Sequence, residues 1–500
     1  MSQITTRASL KSSLNLKRRD LLILFFAAIL GAGIYLLASA LIYRIGFPLD
    51  DSWIHQTYAR NLALHGQWAF QLGHPSAGST APLWTFLLAI GFWLGLAPYF
   101  WTYFIGGLTL FGLGVLTEAT ARSLLAVYRP RIPWVGLFFV AEWHFLWAAM
   151  SGMETLLDAL FLTSVLALLM TGSPRYLAMG LLTGLSVWVR PDGLTLLAPI
   201  ILTILLVNIS NQDKFNSIVR YLIGFGSLFV PYLLFNLWLS GTPMPNTFYA
   251  KQTEYAFWQS EPFLYHIGVL FVQVFTGPGI ILLPGIIGWA VLSTRRRDWA
   301  SISSMLWCGG YLYLYISRLP AYQHGRYLMP AMPILFLFGL LAFFEFAKSN
   351  LLERYHWMVQ VVWRVSLLLV TLFFIGLGAR AYGEDVGLIE SEMVVTARWV
   401  AQNIPPNAII AAHDIGALGY FDEHPLIDLA GLVSPEVIPF MRDETHLAAY
   451  LNQRGASYLI AFPDFYPNLT RSAPIVFSSG GKFAIEAGQK NMAVYRWISP

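Results

Sequence analysis

The chain has 500 residues, of which 56% are hydrophobic and only 12% are charged, and its formal net charge is +4. Soluble proteins of this size carry roughly 25% charged residues, so the composition excludes an ordinary soluble globular protein and indicates several membrane spans. The positive charge is dispersed, without a basic cluster that carries interleaved aromatic residues, which excludes nucleic acid as a partner. A single cysteine, Cys308, excludes an intramolecular disulfide.

The first predicted span is the uncharged run 21–43, which follows the basic residues Lys17, Arg18 and Arg19. The run is longer than the ~7–15 residue core of a signal peptide, so we expect a retained span with the N-terminus in the cytoplasm. Ten further apolar segments are expected to cross the membrane: 99–121, 134–151, 154–171, 176–190, 194–209, 221–240, 264–292, 301–317, 327–347 and 359–379. The sequence therefore predicts a polytopic α-helical membrane protein with about 11 transmembrane helices.

Basic residues in alternate loops orient these spans, because cytoplasmic loops carry an excess of Lys and Arg. The short apolar segment 82–97 would reverse this pattern if it crossed the membrane, so we expect it to be a juxtamembrane helix within an outer loop, 44–98. An odd number of spans then places the C-terminus outside the cytoplasm. The loop residues expected on the cytoplasmic side are Arg122, Arg129, Arg131, Arg175, Lys214, Arg220, Arg295, Arg296, Arg297, Lys348 and Arg354.

The composition changes near residue 380, after which the chain is less apolar and alternates short helical and strand patterns. We therefore divide the chain into a transmembrane domain, 1–380, and an extracytoplasmic α/β domain, 381–500. The segments expected in the second domain are a helix at 390–404, a strand at 408–412, a helix near 446–455, a strand at 457–462 and a last pair of segments near 483–487 and 492–497.

Two adjacent acids, Asp50 and Asp51, precede a segment with helical periodicity, 52–64. Its apolar stripe predicts an amphipathic helix at the outer membrane interface. An Asp before a helix is a good N-cap, but a cap uses one carboxylate and leaves its neighbour free to point into a cavity. His55, one turn after Asp51, could orient that carboxylate.

The predicted topology places several polar motifs on the outer face, and their order resembles that of membrane glycosyltransferases with the GT-C fold. The closest resemblance is to arabinofuranosyl- and mannosyltransferase-like members, and it covers most of the membrane part. The chain departs from the family pattern at 73–80, where His74 replaces an acid. The matching motifs are the acid pair at 50–51, "YARN" at 58–61, "TAPLW" at 80–84, "GMET" at 152–155, "RPDG" at 190–193, "PNTFYAK" at 245–251 and "RYLMPAMP" at 326–333.

The resemblance implies transfer of a sugar from a polyprenyl-phosphate donor to a glycan, lipid or protein acceptor at the outer face of the cell membrane, with inversion at the sugar. It implies Asp50 as the general base, with Asp51 capping the helix or holding base and acceptor. The leaving phosphate gains charge, so cations should surround it. The donor phosphate ligands expected are Arg190, Lys251, Arg318, Arg326 and His324. The other substrate-binding residues expected are His55, Glu154, Asp192, Asn246 and Tyr249. No cofactor and no obligatory metal are expected, although a divalent metal is not excluded.

Alternatives remain open at the level of the sequence. Arg190 and Arg326 could be membrane anchors, and Glu154 and Asp192 could start helices. Glu142 and His144, in the middle of a predicted span, should face a partner or a cavity. A transporter or lipid flippase would fit a broken helix in 264–292, and a non-catalytic polysaccharide-binding membrane protein is a third class. The crowding of polar motifs on one face favours the transferase.

Overall fold

The computed structural model describes residues 16–125, 128, 130–172, 175–346, 356–471 and 473–498. Among the basic residues used to orient the spans, Arg129, Lys348 and Arg354 lie outside these ranges. The chain ends, 1–15 and 499–500, also lie outside them. The orientation of the chain in the membrane therefore stays a prediction.

The membrane part is built from helices that pack into one bundle. Within the described ranges, six helical runs are long and apolar enough to cross a membrane, and five shorter apolar helices lie among them. This confirms an integral membrane protein, whereas the total of about 11 spans stays a prediction. The helices are α1 Arg18–Ile42, α2 Asp51–His65, α3 Pro82–Trp93, α4 Pro98–Leu124, α5 Trp134–Ala141, α6 Trp143–Met150, α7 Thr155–Met170, α8 Tyr176–Val189, α9 Leu197–Leu206, α10 Asn211–Ser240, α11 Asn246–Glu254, α12 Phe263–Phe275, α13 Pro278–Arg296, α14 Trp299–Ile316, α15 Met332–Phe346 and α16 His356–Ile389.

Two predicted single spans are broken helices. The span 134–151 divides at Glu142, whose carboxylate accepts hydrogen bonds from the backbone amides of His144 (2.9 Å) and Phe145 (3.3 Å) and so caps α6. The other carboxylate oxygen lies 2.8 Å from Nδ1 of His144, so this buried pair is a helix cap and lines no described cavity. The span 264–292 divides at Gly277, which has a φ of 87° that favours glycine, and Pro278 then opens α13.

The helix predicted at 52–64 is present as α2, and it is more buried than its amphipathic pattern led us to expect, while its place at the membrane interface stays a prediction. It packs between α3 and the C-terminal part of the chain, and most of its residues are buried. Its buried polar side chains have partners: the Gln56 amide donates to Thr102 at 2.7 Å, and the Asn61 amide donates to the Ala69 carbonyl at 2.9 Å. The amphipathic pattern therefore reflects two buried faces of different polarity.

A π-helical turn, Glu390–Val394, joins α16 to α17, Val395–Asn403, so the boundary predicted at residue 380 falls inside a helix. The rest of the chain forms a sheet of five strands, β3 Ile410–Ala412, β4 Leu426–Asp428, β5 Tyr458–Ala461, β6 Ile475–Ser478 and β7 Ala493–Arg496, in the order β4-β3-β5-β7-β6. Strands β3, β4 and β5 are parallel, while β7 is antiparallel to both β5 and β6. The helices between the strands are α18 Gly416–Phe421, α19 Glu444–Gln453, α20 Pro467–Arg471 and α21 Lys482–Glu486. A short hairpin of β1 Ala69–Gln71 and β2 His74–Pro75 follows α2.

Candidate active site

A cavity of about 400 Å³ lies where the polar motifs meet, at the end of the bundle that contacts the sheet. Six segments that are far apart in the chain form its walls: the start of α2, residues 78–80 before α3, the "GMET" turn before α7, the "RPDG" turn after α8, helix α11, and the end of α14 with the segment that follows. Leu432 adds a contact from the C-terminal part. The predicted site residues that line this cavity are Asp51, His55, Glu154, Arg190, Asp192, Lys251, Arg318 and Arg326.

Asp51 is the acid of the pair that reaches the cavity, and 34% of its side chain is exposed. Nη2 of Arg326 donates to its carboxylate at 2.5 Å, and Nζ of Lys251 lies 3.9 Å away. Burial alone would raise the pKa of Asp51, but these two cations hold it well below its usual range. Asp51 is therefore an ionised carboxylate in contact with two cations. Tyr327 completes the group, since its hydroxyl contacts both Lys251 and Arg326.

Asp50 faces the opposite way, towards the C-terminal part of the chain. Its two carboxylate oxygens accept hydrogen bonds from the backbone amides of Gly416 (2.6 Å) and Ala417 (2.8 Å), at the start of α18. Burial raises the pKa of Asp50 to about 7, the charge of Asp414 adds to the rise, and the two amides oppose it. The expected cap by Asp51 is wrong: Asp51 is the first residue of α2, and neither acid bonds through its side chain to the backbone of that helix.

Arg190 lies in a buried charge network that meets the Asp51 group at the Tyr327 ring, whose centroid is 5.2 Å from the guanidinium carbon. Its guanidinium is 3.0 Å from Asp192, 3.5 Å from Glu154 and 3.9 Å from Asp158. Nε2 of His55 lies 3.3 Å from Glu154, so His55 orients Glu154 and does not contact Asp51 as we had expected. With three acids around it, Arg190 has little positive charge left for a phosphate.

Arg318 contrasts with Arg190. It lines the cavity and is exposed, and no carboxylate partner for it is found among the described residues. It is therefore a cation available to a ligand.

Four predicted site residues do not line the cavity: Asp50, Asn246, Tyr249 and His324. The Asn246 amide donates to the Leu432 carbonyl at 3.1 Å, so it joins α11 to the C-terminal part. Nε2 of His324 lies 2.8 Å from Asp385, which also accepts from the Trp147 indole, so His324 is paired outside the cavity lining. The Tyr249 ring lies against Phe248, 5.3 Å between centroids.

Several site residues were missed by the sequence analysis. Asp158 sits inside an apolar helix, and an acid at that position was a signal that we did not use. Asp414 and His413 directly follow β3, and the carboxyl ends of parallel strands are where α/β sheets place functional groups. Tyr327 carried no signal beyond its place in a motif.

A metal site needs a group of side chains that could bind the ion. Within the described ranges, no three His, Cys, Asp or Glu side chains are grouped so that they could hold an ion. The expectation that no metal is obligatory stays a prediction.

The architecture is that of the GT-C glycosyltransferases, which confirms the resemblance inferred from the motifs. The chain aligns with ArnT from Cupriavidus metallidurans bound to undecaprenyl phosphate, with a TM-score of 0.58 and 14% identity over 96% of this chain and 98% of that one. It aligns with the oligosaccharyltransferase AglB from Archaeoglobus fulgidus in complex with an inhibitory peptide and a dolichol-phosphate, with a TM-score of 0.56 and 11% identity over 87% and 69%. At these identities the likeness shows the fold.

A third solved structure, the arabinofuranosyltransferase AftD from mycobacteria, aligns with a TM-score of 0.51 and 16% identity over 96% of this chain and 42% of that one. No curated protein sequence matches the chain. A family model described as a domain of unknown function (DUF8728) matches residues 385–495, which begin inside α16 and include the sheet.

Proposed function

We propose that the chain is a membrane glycosyltransferase that moves a sugar from a polyprenyl-phosphate donor to a glycan, lipid or protein acceptor on the extracytoplasmic side. The observation that carries the proposal is a single cavity in which the carboxylate of Asp51 lies beside Lys251 and Arg326. Such a site holds a proton acceptor and phosphate ligands within a few ångströms of each other. The polyprenyl phosphates bound to ArnT and AglB support this donor class.

The reaction needs one base and one site for the leaving group. The acceptor hydroxyl gives its proton to a carboxylate while its oxygen bonds to the anomeric carbon, and the electron pair of the breaking C–O bond leaves with the phosphate. Asp51 lines the cavity, which supports it as the base in place of Asp50. Asp50, with both oxygens bound to amides, then supports the position of Asp51.

The two cations that contact Asp51 lower its pKa and so make it a weak base. The ion pair between Asp51 and Arg326 suggests how Asp51 can still act as the base. The donor is a phosphodiester with one negative charge, which grows as the phosphate leaves, and its oxygens suit the planar guanidinium of Arg326. When the donor phosphate binds Lys251 and Arg326, Asp51 loses its partners and becomes more basic. Base strength therefore rises only when the donor is in place.

The size of the cavity fits the phosphate and the sugar of the donor but not its polyprenyl tail. About 400 Å³ is at the lower end of the roughly 300–1,000 Å³ typical of small-molecule sites. It can enclose the phosphate and the sugar, while the polyprenyl tail extends along the apolar surface of the bundle. Many large apolar side chains of the bundle helices are exposed there.

The test is sugar transfer by the purified full-length chain in lipid nanodiscs, with a panel of polyprenyl-phosphate sugars and mass spectrometry of the products. We expect Asp51→Asn to lower turnover by roughly 10²–10⁴-fold, because the amide cannot take the proton. Asp50→Asn should retain more activity, since one amide contact survives. If Asp51→Asn is active and Asp50→Asn is dead, the two roles are reversed. Wild-type protein that moves a lipid across the membrane but transfers no sugar would support a flippase.

A further inference from the structure

The carboxyl ends of β3 and β4 point towards the cavity. Residues 413–417 follow β3, and residues 429–433 follow β4. Ligands of open α/β sheets bind outside the carboxyl ends of parallel strands. In this chain, that edge lies against the loop that carries the acid pair and against helix α11.

The first contact is to Asp50, as described above: one amide for each oxygen of its carboxylate. The approach is too close for a side chain at residue 416. A Cβ on Gly416 would lie 2.0 Å from the Asp50 carbonyl oxygen and 2.8 Å from Cγ of its carboxylate. Glycine is therefore required for the amide to reach the acid.

The second contact is to α11, which carries Lys251. The Leu432 carbonyl accepts from Asn246 at 3.1 Å, and Nε2 of His413 lies 3.7 Å from the Glu254 carboxylate. Asn246 is the first residue of α11, and Glu254 is the last. The same edge of the sheet thus holds both ends of the helix that presents the phosphate-binding lysine.

The third contact fixes α2 against α18. The Arg60 guanidinium donates to the Tyr420 carbonyl at 2.7 Å and to the Gly419 carbonyl at 3.2 Å. The Trp53 ring lies 4.7 Å from the rings of both Tyr420 and Phe421. The helix that begins with Asp51 is therefore bound along its length by the C-terminal part.

We propose that the C-terminal domain is a built-in part of the active site, with Gly416 as a positioning residue that sets the Asp50 carboxylate and, through it, Asp51. The domain is thereby assigned a positioning task at the active site of this chain. This inference rests on the proposed function for its meaning. The attachment of Asp50 to residues 416 and 417 can be measured without it.

The first experiment follows hydrogen exchange of the full-length chain by mass spectrometry. Asp50→Asn offers one carbonyl oxygen to two amides, so exchange in the peptide that spans 414–418 should become roughly tenfold faster, as expected for one lost hydrogen bond. Asp51→Asn is the matched control and should leave that peptide unchanged, because Asp51 contacts Arg326. Unchanged exchange in Asp50→Asn would overturn the inference.

The second experiment tests whether Gly416 acts through Asp50. We expect Gly416→Ala to lower kcat by roughly 10-fold or more with the donor KM unchanged, a larger loss than its fall in unfolding temperature accounts for when Gly419→Ala, which has an equally close clash, is the reference. The double variant with Asp50→Asn should be no slower than Asp50→Asn alone, because residues that act as one unit are not additive. Additive losses would overturn the inference.

Gly419→Ala is the matched control for packing damage in the same helix. A Cβ there would lie 2.0 Å from the Phe70 ring, a clash as severe as that at Gly416, without contact to Asp50. Its loss of activity should add to that of Asp50→Asn and follow its loss of stability. Wild-type protein that shows the exchange response but transfers no sugar from any donor would overturn the proposed function instead.

Discussion

At the scale of single residues, Asp50 and Asp51 are neighbours with opposite surroundings. The sequence led us to expect a cap and a base, and their order could not be derived because a cap position gives no information on contacts from residues more than 200 positions away. The carboxylate of Asp51 contacts Arg326, and that of Asp50 contacts residues 416 and 417. Motif order singled out the acid pair, of which Asp51 lines the cavity, but it did not distinguish the surroundings of the two acids.

The raised pKa of Asp50 predicts a pH dependence. Burial and the charge of Asp414 raise the pKa to about 7, so Asp50 is protonated below that pH and ionised above it. A protonated carboxyl accepts poorly from two amides, so turnover should fall as the pH drops through about 7. Asp414→Asn removes one cause of the rise, and the acid limb of the pH–rate profile should move to lower pH. A limb that stays in place, or moves to higher pH, would contradict this assignment.

The cations of the cavity should separate into two groups. Arg326→Ala should lower kcat by roughly 10²–10³-fold by removing a donor to the leaving phosphate, with a well-folded protein. Arg190→Ala should instead reduce the yield of folded protein, because it leaves three buried acids without their cation. Size-exclusion chromatography reports the folding of both variants, and donor turnover reports their activity. A well-folded Arg190→Ala with no donor turnover would return Arg190 to the phosphate site.

At the scale of elements, helices were predicted well where apolar runs were uninterrupted, and their breaks were not. The break at residue 142 depends on one carboxylate that bonds two amides and a histidine, which no hydropathy window detects. The burial of α2 was missed for a similar reason. Its polar face is covered by residues from distant parts of the chain, and a periodic pattern does not show what covers it.

The capped break gives a prediction of stability. Glu142→Ala leaves the amides of His144 and Phe145 without their acceptor in a buried site, so it should cost about 1–3 kcal/mol of unfolding free energy. Glu142→Gln keeps an accepting oxygen and should cost less. Thermal unfolding in detergent makes the comparison, and donor turnover should change little. If Glu142→Ala is as stable as the wild type but inactive, the pair of Glu142 and His144 has a functional role.

At the scale of the whole molecule, the proposed orientation requires opposite ends of the bundle to face opposite sides of the membrane. Lys490 lies in the sheet-containing part, Arg295 lies at the end of α13, and both are exposed. Each is replaced by cysteine in a separate variant, Lys490→Cys or Arg295→Cys. An impermeant maleimide should label the first in intact cells and the second only after permeabilisation. Cys308 is buried and should contribute no background. The reverse labelling pattern would invalidate the predicted topology.

The attachment of Asp50 to the last part of the chain has a consequence for biosynthesis. Asp50 and Gly416 are 366 residues apart, so the acid pair leaves the ribosome and enters the membrane long before the amides that hold it exist. A chain that stops between residues 327 and 416 would carry the cavity helices without the amides that bind the Asp50 carboxylate. Under the proposed function, completion of synthesis is therefore a condition for sugar transfer.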